Sequence, residues 1–458
     1  MKKTIVCNIV GLTASMITEQ TPNLKKLAEE GSISDIEPIL PAVTCTVQST
    51  YLTGLMPQDH GVVSNGWYFR ELDEVFFWRQ SNRLVQGEKL WQSAKKINPH
   101  FTCANLFWWY NMASDCDITV TPRPIYQADG IKIPDVYTTP IDLRDRLQNE
   151  LGQFPLFKFW GPMASIESSQ WIMDCYQKVN AQYKADLSLI YIPHLDYPLQ
   201  RLGTTDPAIE SHIKQVDQLL SPLMDEYENS DCHIIILSEY SISNITKPPI
   251  QLNRLFRKAG WLVTRNERGG ELIDTAQSKV FAVCDHQVAH IYVRDQSMIP
   301  VVKSKIQALP LVDAVLDEAG KKAMGLNHDR SGELVAVANR ASWFSYYYWL
   351  TDDHAPDFAK TVDIHRKPGY DPVELFLDPT LKFPALHIAW RLLKKKLGQR
   401  TLMDLIPLDD RLVKGSHGQL SDGVGNPLFI SSDNHLLTKN KIQATEVKQL
   451  ILNHIFQD

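Results

Sequence analysis

The sequence predicts an α/β protein whose doubly wound, mostly parallel sheet carries helices on both faces. Two observations support this fold class: short apolar runs of strand length recur along the chain, and segments with helical periodicity lie between them. The 458 residues are 44% hydrophobic and 22% charged, which is an ordinary composition for a globular protein. We expect one large domain over residues 1–458 with inserted cap regions.

The predicted elements alternate between buried strands and helices from the amino terminus onward. The first apolar run predicts a strand and not a secretory signal, because it is short, contains Asn8 and lacks a small-residue cleavage site. The predicted strands cover residues 4–10, 102–106, 187–192 and 233–237, and the predicted helices cover residues 22–30, 209–227 and 252–259. This alternation is what a parallel sheet with crossover helices requires.

Polar residues or a glycine directly follow three of the predicted strands. Gly11 follows the first strand, Asp196 follows the strand at 187–192, and Glu239 follows the strand at 233–237. Parallel α/β sheets bind their ligands beyond the carboxyl ends of the strands. The sequence therefore predicts that Asp196 and Glu239 lie at one edge of the sheet, in a common pocket.

Two regions rich in aromatic residues, 66–185 and 279–380, interrupt the alternation, and we expect them to form cap or insert regions. Aromatic clusters are more often core than substrate platform. Some aromatic and polar residues nevertheless lie next to predicted site elements and are candidates for the pocket rim. The substrate-binding candidates are Trp67, Tyr68, Trp108 and His365.

Charge and cysteine usage exclude several classes of partner. The net charge of −6 argues against a nucleic-acid polymer as ligand. The seven cysteines are scattered without a CxxC pair, which predicts reduced thiols in a cytoplasmic protein. No run approaches the ~20 apolar residues of a membrane span, so we expect no membrane partner. The basic run at 394–396 lies in a predicted amphipathic helix over 387–397, where we expect an ordinary solvated face.

The most informative segment is 41–65, which places a hydroxyl residue at the start of a helix and an amide side chain after it. Thr44 follows Pro41-Ala42-Val43 at a strand-to-helix junction, and a Thr-Gly stop ends the helix at Gly54. A Pro-x-x-His-Gly turn containing His60 comes next, and Asn65 closes the segment. A helix amino terminus attracts phosphate, so this order predicts a phosphate pocket with Thr44 as nucleophile. In isolation, Thr44 would be an N-cap and Asn65 a turn residue.

This segment resembles the nucleotide pyrophosphatase/phosphodiesterase branch of the alkaline phosphatase superfamily. The resemblance rests on the Thr44 hydroxyl, the Gly54 ten residues later, the turn at His60, and Asn65, all in the family's order. It extends to the late Gly415-Ser416-His417-Gly418 motif. It implies catalytic roles for Thr44 and Asn65, in-line displacement at phosphorus through a phospho-threonine intermediate, and two zinc ions that activate the nucleophile.

The metal ligands that the resemblance implies are only partly present. Asp196 and His417 match the family pattern, whereas Gln200 stands where a His is expected and Glu239-Tyr240 where an Asp-His pair is expected. Val10 replaces a further Asp and offers no ligand atom. The metal candidates are therefore Asp196, Glu239, His417 and Gln200. This set fits fewer or weaker metal ions than two zincs, for example one Mg²⁺ or Mn²⁺ held by Asp196, Glu239 and water.

A threonine hydroxyl is a weak nucleophile without a cation or a base. Side chains with no assigned place could supply that help or rebuild the pocket. These candidates are His194, Asp285, His286, His290, His365 and Asp371. For any one of them a purely structural role is the simpler interpretation.

Two main functional hypotheses follow from these residues. The first is a metal-assisted phosphodiesterase or nucleotide pyrophosphatase that acts on a small phosphorylated substrate through Thr44. The second is a catalytically silent phosphate or nucleotide binder that serves as a pathway partner, which the replacements at Val10, Gln200 and Tyr240 favour. A metal-free transferase that uses Thr44 with a His base is a third, weaker alternative.

Overall fold

The computed structural model describes residues 1–128, 131–267, 269–399, 401–420 and 425–457. Within these ranges, nine strands form one central sheet in which five of the neighbouring pairs are parallel and three are antiparallel. In spatial order they are Lys441–Gln443, Ser32–Glu37, Leu428–Ser431, Cys232–Leu237, Lys3–Ile9, Leu187–Ile192, Cys103–Leu106, Ile118–Pro122 and Val136–Thr139. The predicted doubly wound, mostly parallel sheet is confirmed.

The first strand lies at the centre of this sheet because both of its faces are apolar. Lys3–Ile9 pairs in parallel with Leu187–Ile192 on one side and with Cys232–Leu237 on the other. All six residues of each neighbouring strand are buried, as expected for strands covered on both faces. The carboxyl ends of the three strands meet at one edge, which brings Asp196 and Glu239 to the same region, as the sequence predicts.

Helices cover the central sheet and continue through the rest of the chain. The helices are Pro22–Glu30, Thr44–Thr53, Pro57–His60, Leu90–Ile97, Leu143–Leu151, Leu156–Phe159, Ile166–Tyr183, Asp196–Leu202, Ala208–Leu219, Ser221–Asn229, Leu252–Lys258, Ile299–Gln307, Glu318–Ala323, Pro384–Lys396 and Val447–Phe456. Short 3-10 helices lie at Ala14–Met16, Asn82–Leu84, Gln296–Met298, Asp352–His354, Asp357–Lys360, Pro372–Leu375, Asp410–Leu412 and Ala444–Glu446.

A second, antiparallel sheet lies in the second aromatic region. Its strands, in spatial order, are Val280–Asp285, Val288–Val293, Leu334–Ala338 and Val312–Leu316. The first two form a tight hairpin whose turn consists of His286 and Gln287. The remaining strand pairs are Gly66–Phe69 with Glu74–Phe77, Ile125–Tyr126 with Lys132–Ile133, Ser243–Asn244 with Gly415–Ser416, and Thr264–Glu267 with Gly270–Ile273.

The structure differs from the sequence-based expectations in three places. The predicted helix at 209–227 is two helices that meet at Leu220, because Pro222 lacks the N–H that a continuing helix would use. Residues 66–185 supply three strands at one end of the central sheet, so much of this region belongs to the sheet itself. The division into a core and cap regions otherwise stays a prediction. The amphipathic helix at 387–397 is Pro384–Lys396, and none of its residues is buried.

Candidate functional site

Thr44 is the first residue of the helix Thr44–Thr53, every residue of which is buried. Val43 before it has extended backbone (φ −132°, ψ 152°), so the chain turns from extended structure into the helix at this point. The Thr44 hydroxyl lies 3.0 Å from the Tyr240 hydroxyl. The helix ends at Gly54, whose φ of +71° is a conformation that glycine adopts without strain. The sequence therefore places Thr44 at a buried helix amino terminus, as predicted.

Asn65 returns to the same helix terminus. Its side-chain oxygen accepts a hydrogen bond from the Cys45 backbone N–H at 2.9 Å. Its side-chain nitrogen donates to Asp285 at 3.2 Å, and its backbone N–H donates to the same carboxylate at 2.8 Å. The amide nitrogen carries two hydrogens, so one remains for an oxygen of a bound phosphoester. Asn65 thus lies where the resemblance implies, and its catalytic role stays a prediction.

His60 has a structural position behind the same helix. The Val62 N–H donates to its Nδ1 at 3.1 Å, and its Nε2 lies 2.9 Å from the Thr50 hydroxyl. Burial lowers the pKa of His60 from 6.5 to about 3, and the neighbouring His328 adds to this effect. A neutral imidazole with both ring nitrogens satisfied holds the turn after the helix and is not available for proton transfer.

Glu239 lies at the carboxyl end of the central strands, where amide groups bind one of its two carboxylate oxygens, while Oε2 is buried with no hydrogen-bond partner among the described residues. The side-chain nitrogens of Asn8 and Gln48 each donate to Oε1 at 2.6 Å. Burial raises the pKa of Glu239 to about 8, even though the hydrogen bonds from Gln48 and Asn8 act in the opposite direction. The Glu239 carboxylate therefore takes up a proton more readily than an exposed glutamate does.

Asp196 and Gln200 are neighbours on the helix Asp196–Leu202 and bind each other. The Gln200 nitrogen donates to Asp196 Oδ2 at 2.7 Å, while the Gln200 oxygen accepts from the Tyr370 hydroxyl at 2.9 Å. Burial raises the pKa of Asp196 to about 6, and the charge of His286 limits this rise. The Tyr240 hydroxyl donates weakly to Asp196 Oδ1 at 3.5 Å.

Four stacked rings fill the space beside these carboxylates. In order they are Tyr240, His417, His286 and Tyr370, with centroid separations of 3.6, 3.7 and 3.6 Å. His417 Nδ1 lies 2.7 Å from the Ala42 carbonyl and His286 Nδ1 lies 2.7 Å from Asp285 Oδ1, so both Nδ1 atoms act as donors. Among the described residues, neither Nε2 atom has a hydrogen-bond partner. Burial, together with His286, lowers the pKa of His417 well below its usual value.

Asp285 anchors both halves of this arrangement. The Ser64 hydroxyl donates to its Oδ2 at 2.6 Å, in addition to the bonds from Asn65 and His286. Although burial acts to raise the pKa of Asp285, the hydrogen bond and charge of His286 keep it below the usual value. Asp285 is therefore an ionised, fully buried carboxylate that connects the helix terminus at Thr44 to the column of rings.

The predicted metal ligands do not fit the family's pair of metal ions. Glu239 Oε1 and the side-chain oxygens of Asp196 and Gln200 accept hydrogen bonds from N–H or O–H donors. Glu239 Oε2 and His417 Nε2 have no hydrogen-bond partner among the described residues. Val10 is fully buried and apolar. Within the described ranges, no group of three or more His, Cys, Asp or Glu side chains is arranged to hold a metal ion. The donor set instead makes a hydrogen-bonded, aromatic pocket.

The substrate-binding candidates lie in different surroundings. Trp67 is buried in the core cluster that also contains Cys45, and the Trp108 indole N–H donates to the Ile190 carbonyl at 3.1 Å inside the main core. Tyr68 packs against Phe281 and Tyr292 in the second core, and His365 is exposed beside the Phe77 carbonyl. Their hydrogen bonds and ring contacts in the described structure do not reach Thr44, so their substrate role stays a prediction.

The site contains residues whose position could not be assigned from the sequence. Asp285 and His286 were candidates with no assigned position, whereas Tyr370, Gln48 and Asn8 were not singled out. The hairpin explains His286: its φ of +57° is unusual for a residue other than glycine, and such strain at a buried polar residue marks a functional position. Tyr370 and His286 belong to elements far apart in the chain, so sequence spacing alone could not join them.

Two solved structures share this fold at low sequence identity. An inactive variant of murine ectonucleotide pyrophosphatase/phosphodiesterase 5 in complex with AMP superposes with a TM-score of 0.58 at 14% identity, over 99% of this chain and 95% of the other. Phosphonoacetate hydrolase from Sinorhizobium meliloti 1021 in complex with phosphonoacetate gives a TM-score of 0.63 at 14% identity, over 99% and 96%. At this identity the likeness concerns the fold.

The family model for type I phosphodiesterase / nucleotide pyrophosphatase matches residues 4–371, and the chain belongs to that family. A similar protein is an uncharacterized pyrophosphatase/phosphodiesterase of Schizosaccharomyces pombe, with 27% identity over 263 residues. That match covers 55% of this chain and 46% of the yeast protein, so the chain spans about half the length of this relative.

Proposed function

We propose that this protein is a phosphodiesterase or nucleotide pyrophosphatase that uses Thr44 as nucleophile and works without the family's usual pair of metal ions. One observation carries the proposal: Thr44 and Asn65 meet at the same helix amino terminus, joined through the Cys45 N–H at 2.9 Å. The helix terminus is favourable for a phosphate by roughly 0.3–2 kcal/mol. Thr44 and Asn65 are therefore the catalytic pair of this proposal.

Tyr240 and Asp196 offer a route for the Thr44 proton. The Thr44 oxygen attacks phosphorus, the new Oγ–P bond forms, and the P–O bond to the leaving group breaks. The Thr44 proton passes to Tyr240 over 3.0 Å while Tyr240 passes its own proton to Asp196 over 3.5 Å. Burial raises the pKa of Tyr240 well above its usual value, so Tyr240 serves as a relay and not as the final acceptor. The leaving group departs as its oxyanion and takes a proton from solvent. A water oxygen then attacks phosphorus and the Oγ–P bond breaks. Asp196 returns its proton through Tyr240 to the Thr44 oxygen, and the proton of the attacking water passes to solvent.

Two observations support a small phosphorylated substrate: the few polar groups at the Thr44 helix terminus and the ligands bound in the compared structures. A single helix terminus and one amide accommodate a small phosphorylated group. The murine relative in complex with AMP and the bacterial relative in complex with phosphonoacetate extend this expectation to nucleotides and phosphonates. The cytoplasmic location stays a prediction from the cysteines, all seven of which are free and buried.

The test is hydrolysis of bis(p-nitrophenyl) phosphate by wild type, Thr44→Ala and Thr46→Ala, each with chelator and with added Mn²⁺ or Zn²⁺. We expect Thr44→Ala to remove the activity, because the nucleophile is lost. Thr46→Ala is the matched control, since Thr46 is a buried threonine of the same helix with no hydrogen-bond partner among the described residues for its hydroxyl. Equal rates for wild type and Thr44→Ala would end the proposal.

A second candidate function, a silent phosphate or nucleotide binder, is favoured by one specific observation. Asn8 and Gln48 both donate hydrogen bonds to Glu239, and the Tyr240 ring stacks on His417. Residues at the positions of the family's metal ligands therefore bind other side chains of the pocket. This alternative predicts that AMP raises the melting temperature of the wild type and that no product forms. Turnover that Thr44→Ala abolishes would exclude it.

A further inference from the structure

The helix Pro384–Lys396 presents an apolar face to solvent. Large hydrophobic residues recur at intervals of three and four positions, which places them on one side of a helix. They are Phe383, Leu386, Trp390, Leu393 and Leu397, with exposed fractions of 73%, 68%, 56%, 46% and 68%. A helix of a globular protein ordinarily turns such a face toward the core. An outward apolar stripe of this length marks an interaction surface.

The polar side of the helix is attached to the protein and fixes this orientation. Arg391 donates to the Asp404 carboxylate at 2.8 Å, and His387 lies 3.6 Å from the same carboxylate. The backbone N–H of Asp378 donates to the Leu405 carbonyl at 2.8 Å, which closes the base of the segment. The segment 378–405 is therefore a protrusion that carries the helix with its apolar side outward. No residue of this helix is buried, which agrees with the solvated face expected at the basic run, whereas the exposure of its apolar side was not predicted.

The charges of residues 381–399 have one sign, although the protrusion also contains Asp378 and Asp404. Residues 381–399 contain Lys382, Arg391 and the basic run at 394–396, and they contain no acidic residue. The chain as a whole has a net charge of −6, so this patch stands out against its surroundings. Burial lowers the pKa of Lys395, and the charge of the nearby Lys132 adds to this effect. Lys132 belongs to the hairpin Ile125–Tyr126 and Lys132–Ile133, which extends the cationic surface beyond the helix.

We propose that this helix docks the protein onto an anionic lipid surface, lying in the plane of the interface. Its 13 residues span about 20 Å, and no helix among the described residues is long and apolar enough to cross a bilayer. A basic helix with Trp and Leu on its other face is the type that binds membrane interfaces. A second copy of the chain is a poorer occupant, because two identical basic patches would repel each other.

The test is co-sedimentation of the full chain with vesicles of phosphatidylcholine alone or mixed with phosphatidylglycerol. We expect binding to the mixed vesicles that weakens as salt rises, because salt screens the attraction of the lysines to the lipid charge. The double variant Leu386→Glu/Leu393→Glu should lower the partition coefficient by roughly tenfold or more, since it places charges on the inserted face. Both positions are exposed, so folding should be preserved, and circular dichroism checks this.

A matched control introduces the same charges elsewhere on exposed apolar residues. Leu72→Glu/Ile141→Glu changes side chains that are 60% and 83% exposed and lie outside the protrusion. This control should bind vesicles like the wild type. Lys394→Gln/Lys395→Gln/Lys396→Gln should weaken binding to the mixed vesicles and reduce its salt dependence.

Three results would overturn the proposal. The first is absence of wild-type binding to mixed vesicles, and the second is equal loss in the control and in Leu386→Glu/Leu393→Glu. The third is a vesicle-free dimer in sedimentation velocity that Leu386→Glu/Leu393→Glu dissociates, because this would assign the face to a second copy. These readouts do not depend on hydrolysis, so they stand apart from the test of Thr44.

Discussion

The two sides of the pocket differ in how many residues of the family pattern they keep. On one side, the segment 41–65 keeps the helix start at Thr44 and the returning Asn65 in register, and both lie at one helix terminus. On the other side, Val10, Gln200 and Tyr240 stand where metal ligands are expected. The first side presents backbone and amide groups at a helix terminus, and the second side consists of hydrogen bonds and stacked rings.

This difference shows which part of such a site can change without loss of the fold. A metal ligand that is replaced leaves a buried polar group without a partner, which costs free energy unless a new partner appears. New partners are present here: Asn8 and Gln48 bind Glu239, and Tyr370 binds Gln200. The substitutions are therefore compensated in part, while Glu239 Oε2 and the Nε2 atoms of His286 and His417 have no hydrogen-bond partner among the described residues.

The largest effect is expected at Asp285, which connects the two sides. Asp285→Ala removes the acceptor for Ser64, for the backbone and side chain of Asn65, and for His286. Leaving these buried donors unpaired should lower the free energy of unfolding by about 3 kcal/mol or more. Urea denaturation measures this loss. As a control, Asp231→Ala breaks a surface ion pair with Lys2 and should leave the urea midpoint close to that of the wild type.

If Asp285→Ala and Asp231→Ala cost the same, the two sides of the pocket are not coupled through this carboxylate. The comparison would then describe two independent regions. A smaller loss in Asp285→Asn than in Asp285→Ala would show how much of the coupling comes from hydrogen bonds alone, because Asn retains one acceptor oxygen.

A smaller, pH-dependent effect is expected on the phosphate side, at His60. Its pKa is about 3 in the folded protein and near 6.5 when unfolded, so between these values the unfolded chain binds more protons. The contribution of His60 to stability should therefore be constant above pH 6.5 and fall as the pH decreases toward 3, with a slope of at most about 1.4 kcal/mol per pH unit. His60→Gln should flatten this slope.

Denaturation at several pH values between 4 and 7.5 (~0.5 unit apart) measures the difference between wild type and His60→Gln. His100→Gln is the control, because His100 is exposed and its replacement should leave the wild-type slope unchanged. Identical slopes for wild type and His60→Gln would show that His60 does not hold the turn as a neutral imidazole.

The parts of the structure that depend on local pattern could be predicted from the sequence. The central strand and its neighbours follow from apolar runs, and the position of Thr44 follows from the Pro-rich entry and the Gly54 stop. The column of rings could not be predicted, because Tyr240, His286, Tyr370 and His417 come from four separate segments. Long-range contacts of this kind leave no periodic signal in the sequence.

The helix Pro384–Lys396 teaches a related lesson about orientation. Its sequence shows which residues share a face, and this part was predicted as an amphipathic helix. Periodicity does not say which face turns toward the protein, however. That orientation depends on Asp404, a residue outside the helix whose carboxylate holds Arg391.

The smallest expected effect tests the metal side directly. Removing divalent ions with a chelator should change the melting temperature of the wild type by less than about 1 °C, because a ligand that does not bind the native state cannot stabilise it. Elemental analysis of protein purified without chelator should find well below one zinc per chain.

The double variant Gln200→His/Tyr240→His restores two imidazole ligands beside Asp196 and His417 and uncovers the His417 ring. Its melting temperature should rise on addition of Zn²⁺ while that of the wild type does not. Stoichiometric zinc in the wild type, with a chelator-induced drop of several degrees, would mean that the ring column opens to admit a metal and that the two sides of the pocket are less different than their contacts indicate.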